Sequence, residues 1–151
     1  MRQQLAWAVG TTLTAAILLA SPGEQRRIGY RGTVLVQLAV SDLDESIRFY
    51  TEVLEFKLEE HRPDLEWARV KPGIEGVTIG LSRQPEVKGS GTLSLNFGVV
   101  DLDRVRAILE SRDVVFDGPT IEVPGVVRLA DFKDPDGNRI RLAGDPDGVE
   151  R

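Results

Sequence analysis

The sequence predicts an α+β fold made of two βαβββ modules in tandem, and two observations carry that prediction. Each half opens on a segment whose apolar residues recur at every second position, Thr33–Val40 in the first and Thr92–Val99 in the second, which is the period of a half-buried strand. Each segment then runs into an Asp-Leu-Asp string, at Asp42–Asp44 and again 59 residues later at Asp101–Asp103. A pattern that restarts at a fixed offset is an internal repeat.

In the first strand Val34, Val36, Leu38 and Val40 lie on one face, and Thr33, Leu35, Gln37 and Ala39 on the other. Ser41 or Asp42 follows as an N-cap, because a side-chain oxygen there satisfies an open amide of the first helical turn. Asp44 and Glu45 suit the positive end of the helix dipole. Leu43, Ile47, Tyr50 and Leu54 recur at helical spacing and predict an amphipathic helix of about three turns. Strands are expected over Phe56–Glu59, Glu66–Val70 and Gly76–Ser82, then a connecting loop from Arg83 to Gly91. In the second half Leu93, Leu95, Phe97 and Val99 oppose Thr92, Ser94, Asn96 and Gly98. Leu102, Val105, Ile108 and Leu109 form the apolar stripe of a shorter helix. Further strands are expected near Val114–Phe116, Val126–Phe132 and Asn138–Ala143. Neither helix is long, so each must pack on its own sheet to be stable.

With 151 residues the chain accommodates one ordinary domain. The net charge of −5 and the scattered basic residues argue against nucleic acid as a partner. The absence of cysteine excludes thiolate metal sites, disulfides and cysteine nucleophiles. His61 is the single histidine, so any Ser-His-Asp triad or histidine base must use it. It follows Glu59 and Glu60 and precedes Arg62-Pro63, which reads as an exposed loop.

The amino terminus stands apart. Leu5–Ala20 is uncharged and largely apolar, preceded by Arg2 and followed by Ser21-Pro22-Gly23. Its span of about 24 Å falls short of a ~30 Å hydrocarbon core. Residues 1–20 therefore read as a signal peptide cleaved near Ala20, with an uncleaved membrane anchor or an extension from a misplaced start as alternatives. Residues 21–32 read as a linker, 33–144 as the folded domain and 145–151 as a flexible tail. The expected location is exported or membrane-anchored, or cytoplasmic if the segment is an artefact. Membrane contact is expected only through residues 5–20.

The strings VQLAVSDLDESIRFYTEVLEF (Val36–Phe56), VVDLDRVRAIL (Val99–Leu109) and FKDPDGNRIRL (Phe132–Leu142) resemble the vicinal oxygen chelate superfamily of glyoxalases, bleomycin-resistance proteins and extradiol dioxygenases. The resemblance implies that the two modules form a cup-shaped, partly closed mixed β-sheet with helices outside, often as a homodimer. Family members usually carry Gly after each helix, where a left-handed residue closes the last turn. This chain has Glu55 and Asp113 there, at a cost under about 1 kcal/mol each.

Metal-dependent members hold their ion with His, Gln and Glu from four strand positions facing the cup. On this sequence those positions carry Leu35, Gly80, Ser94 and Arg141. Leu and Gly have no donor, Ser is a poor ligand unless deprotonated, and Arg is a permanent cation. No metal and no other cofactor is expected. A calcium loop at Asp134-x-Asp136-x-Asn138 fails because Arg139 stands where Gly is required. Asp134-Pro-Asp-Gly reads instead as a type I turn.

Residue parity places Gln37, Ser94, Asn96 and Arg141 on the cup face, with Trp67 and Arg69 together on one strand face and Arg128 as a complement to Arg141 or a surface ion pair. These seven are the candidate ligand-binding residues, and no catalytic residue is assigned. A polar concave face with Arg141 as its fixed cation suits a small ligand bearing a carboxylate, carbonyl or phosphate. Three functions follow: a metal-free small-molecule binder, a divergent glyoxalase-type lyase or isomerase, and an exported interaction module. The enzyme reading needs a general base, and only His61 offers one.

Overall fold

The computed structural model describes residues 32–86 and 93–146. Strand β1 (Val34–Val40) buries Leu38 and Val40. Helix α1 (Leu43–Arg48) begins at Asp42, whose carboxylate accepts from the Glu45 amide at 2.9 Å. The helix then widens into a π-helical turn, Phe49–Val53. Thr51 contributes to that change by donating its hydroxyl to the Ile47 carbonyl at 2.8 Å, a back-bond that competes with the helical ladder. Glu55 closes the segment in the left-handed region at φ 60°, as the sequence predicts.

Strands β2 (Lys57–Arg62), β3 (Trp67–Lys71) and β4 (Val77–Arg83) complete the first sheet in the order β1-β4-β3-β2, with β1 parallel to β4. The second module repeats this with β5 (Ser94–Gly98), α2 (Leu102–Glu110), β6 (Ile121–Val123), β7 (Val127–Lys133) and β8 (Arg139–Gly144) in the order β5-β8-β7-β6. Asp101 caps α2 through the Arg104 amide at 2.9 Å, and Asp113 at φ 64° follows it.

Two sequence expectations are corrected. His61 lies in β2 rather than a loop, because this edge strand has Leu58 as its one apolar residue and carries no burial period. Val114–Phe116 forms only a single bridge, Phe116 to Phe132. Its alternation reflects two side chains turning inward, with Val114 buried and Val115 83% exposed, and the edge strand forms later at β6.

One face of each sheet packs under its helix. Leu38, Val70, Ile79 and Leu81 on the first sheet and Ala130, Phe132, Ile140 and Leu142 on the second belong to one core cluster. The modules join on this helix side. Phe56 meets Phe97 at 5.6 Å between ring centroids, and Arg112 donates to the Val53 carbonyl at 2.6 Å. The buried Tyr50 hydroxyl donates to Asp134 at 2.8 Å.

Asp134 opens the predicted turn, closed by the Gly137 amide on the Asp134 carbonyl at 3.0 Å. Its carboxylate also accepts from the amides of Asp136 and Asn138 and from the Asn138 side chain. Burial still pushes the Asp134 carboxyl above its ordinary value, and burial followed by the nearby Asp134 charge pushes the Tyr50 phenol up. These protein donors already engage the Asp134 oxygens that a calcium ion would require.

Candidate functional site

Strand register fixes which side chains share the open faces opposite the core. On the first sheet Gln37 lies beside Gly80, Gly80 beside Arg69, and Arg69 beside Glu60, with Trp67 beside Ser82. Gln37, Trp67 and Arg69 therefore come together, as parity predicts. On the second sheet Ser94 neighbours Arg139, and Asn96 neighbours Arg141, which in turn faces Asp131.

Arg128 does not join them. It pairs with Gly144 in the row that contains Ala130 and Phe132, so it points to the helix side. There it holds Asp103 of α2 through two bonds of 2.9 Å and Glu122 through one of 3.3 Å. His61 likewise aligns with buried Ala68, on the opposite face from Gln37, Trp67 and Arg69.

The four metal-ligand positions do not fit a divalent ion. Leu35 offers no donor. At Gly80 an added Cβ would come within 2.5 Å of Gln37 Oε1 and 3.1 Å of Trp67 Nε1. The indole N–H donates to Gln37 Oε1 across that glycine at 3.3 Å, so the place of a side-chain ligand is already covered. Ser94 donates to Asn96 Oδ1 at 3.1 Å. Among the described residues no three His, Cys, Asp or Glu side chains cluster to hold a metal.

Arg141 departs from the sequence expectation in one respect. It lies on the open face, but its Nε and Nη2 donate to Asp131 at 2.6 and 2.7 Å. Arg141 in turn holds the Asp131 carboxyl below the usual carboxylate range. It is not an open cation, because a bidentate carboxylate balances it. Arg69 is engaged too, donating to Glu60 at 2.8 Å and sitting 5.8 Å from the Trp67 ring centroid.

Arg139 is the group that sequence reasoning passes over. It sits half-buried on the same face as Arg141, its Nε is buried without an acceptor, and among the described residues it forms no ion pair. The Arg-x-Arg spacing at 139 and 141 was a usable signal, since it places both on one face. Asp131, by contrast, is identifiable as the Arg141 partner only from the register of two strands. Beside this polar row, Ile121 and Val123 are 50% and 39% exposed and align with half-buried Leu129 and Val127. The open face of the second sheet is thus polar along β5, at Arg139 and Arg141 of β8 and at Asp131 and Lys133 of β7, and apolar along β6 and the start of β7 at Val127 and Leu129.

No hydrogen bond or ion pair connects the open faces of the two sheets among the described residues, and the sheets do not close on each other.

The glyoxalase/bleomycin resistance protein/dioxygenase superfamily matches residues 32–142. The chain is 30% identical to TnmS3, described as an antibiotic binding protein from Streptomyces sp. CB03234, with a TM-score of 0.66 over 79% of this chain and 99% of that one. It is 33% identical to a glyoxalase/bleomycin resistance protein from the same organism, with a TM-score of 0.58 over 73% of this chain and 97% of that one. A Nocardioides glyoxalase/bleomycin resistance protein/dioxygenase shares the fold at 21% identity and a TM-score of 0.67, over 85% and 92% of the two chains. No curated protein matches significantly. The sequence motifs, the two βαβββ modules and these matches together make the chain a member of the glyoxalase/bleomycin resistance protein/dioxygenase superfamily.

Proposed function

We propose that the protein binds, without metal and without turnover, a small molecule that joins an anionic or carbonyl group to an apolar body. The anchor is Arg139, supported by Ser94 and Asn96, and the apolar body is long enough to reach Leu129 and Ile121, which lie four residues farther along the sheet. The observation that carries this reading is the half-buried Arg139 guanidinium, which pairs with no carboxylate among the described residues, on a face whose other arginine is paired. A guanidinium without a carboxylate partner leaves its terminal N–H donors for a ligand oxygen. The likeness to an antibiotic binding protein at 30% identity supports a small-molecule ligand. A binding role fits better than lyase or isomerase chemistry because His61 stands on the other face of its sheet.

A second copy of the chain is proposed to complete the site by setting Gln37, Trp67 and Arg69 opposite Arg139. This is tested by the mass of the protein in solution with and without ligand. The exported or anchored location read from residues 1–20 is likewise a proposal, and the intact mass of the protein from its host tests it. A mass matching loss of residues 1–20 supports export, whereas the full-length mass in a soluble fraction opposes it.

Titration calorimetry with benzoate, a simple aromatic carboxylate, tests the binding role. Saturable binding that survives EDTA and weakens about tenfold in Arg139→Ala is expected, the worth of one charge-assisted hydrogen bond. Binding that disappears with EDTA, or that ignores Arg139→Ala, overturns the reading.

A further inference from the structure

Between the two modules, on the helix side, lies a cleft of about 290 Å³ that is open to solvent on one side. Buried Leu109, Phe132, Ile140 and Leu142 form its floor, while exposed Glu55, Ile74 and Ile108 mark its rim. The floor residues of β7 and β8 point away from Arg139 and Arg141, so this cleft is separate from the open faces. We propose that it is a second ligand site, for an uncharged, apolar molecule of about two fused rings.

Three observations carry the proposal. The volume is about twice the ~150 Å³ of an apolar cavity that holds benzene. The lining is apolar or glycine except for Glu55 and Arg112. Water along such walls finds few polar partners, so an apolar occupant displaces it at little cost. The two charged residues neutralise each other: Arg112 donates to Glu55, and its other amino group donates to the Val53 carbonyl at 2.6 Å. Their charges and strongest donors are thus spent within the protein, which favours a neutral occupant over an anion.

Both modules contribute walls, Val53 and Phe56 from the first and Val105 and Phe132 from the second. An occupant would therefore bridge the modules and raise the melting temperature of the whole domain.

Naphthalene is the probe. One equivalent should bind the full chain and raise Tm in a concentration-dependent way, with nuclear Overhauser contacts from its ring protons to the Val105, Ile108 and Leu109 methyls. Val105→Phe fills the cleft and should weaken binding at least tenfold. Arg139→Ala should leave naphthalene binding unchanged. If Val105→Phe fails to fold, the contacts in the unaltered protein decide. No Tm shift together with no contacts overturns the proposal, as do contacts to Ile121 or Leu129 instead.

Discussion

Asp131→Asn should tighten anion binding while making the protein less stable, and the two effects come from one ion pair. Asp131 spends its charge on Arg141 through bonds of 2.6 and 2.7 Å. It lies one strand from β8 and diagonal to Arg139, and diagonal cross-strand neighbours stand about 7 Å apart. A carboxylate at that distance repels an anion held by Arg139 with about 0.6 kcal/mol in a water-like dielectric and about 2.4 kcal/mol at an effective value of 20, or roughly three- to sixtyfold in affinity. With the Asp131 and Arg141 side chains 15% and 31% exposed, the effect should fall between those limits, near tenfold. The substitution also frees the Arg141 donors. The stability cost is about 1 kcal/mol, discounted because the pair is partly solvated. Benzoate calorimetry at about 0.05 M and 0.5 M salt is the assay, since screening must shrink the gain as the Debye length contracts. A folded Asp131→Asn protein with unchanged or weaker benzoate binding would refute the reasoning.

Four further outcomes follow from the geometry. Tyr50→Phe removes a buried donor to Asp134 that links the modules and should cost about 2 kcal/mol, a Tm drop of roughly 8 °C by calorimetry; a drop under about 2 °C would show that the link is dispensable. Asp134→Asn should destabilise more than that, because an amide nitrogen would be turned toward donors where four now find an acceptor; an unchanged urea midpoint would contradict it. Arg141 holds the Asp131 pKa below its unfolded value, so the pair's stability is present above about pH 4 and lost as pH falls through the folded value. The acid-side fall in Tm should accordingly be steeper in the unaltered protein than in Asp131→Asn, and equal slopes would sink that assignment. Gly80→Ala should displace the exposed Gln37 amide, whose oxygen lies 2.5 Å from the new Cβ. Because Gln37 can swing away, stability should fall by under about 1 kcal/mol while Trp67 emission shifts, and a large stability loss without a spectral change would contradict the contact.

Much of this architecture is legible because burial imposes a period. Leu38, Ile79, Leu95 and Ile140 mark the inward rows, and the same parity correctly gathers Gln37, Trp67 and Arg69, and Ser94, Asn96 and Arg141. The caps at Asp42 and Asp101 and the left-handed Glu55 and Asp113 follow from local chemistry alone. The failures arise where burial gives no period or where the partner lies far along the chain. Strand β2 has one apolar residue, Leu58, and no burial period, so neither its extent nor the place of His61 could be seen. Arg128 follows the parity of Ala130 and Phe132, yet its charge suggested the open face. The pairing of Arg141 with Asp131 depends on the β7–β8 register, which no single strand encodes. The apolar segment at residues 5–20 lies outside the described residues. No helix among them is long and apolar enough to cross a membrane.

The most direct test of the central claim is the Arg139 Nε–H resonance in protein dialysed against EDTA and titrated with benzoate. A saturable shift at Arg139, larger than any at Arg141 and unchanged by added zinc or nickel, is the predicted result. A silent Arg139 resonance, or a response that appears only after metal is restored, would contradict a metal-free site anchored on this residue.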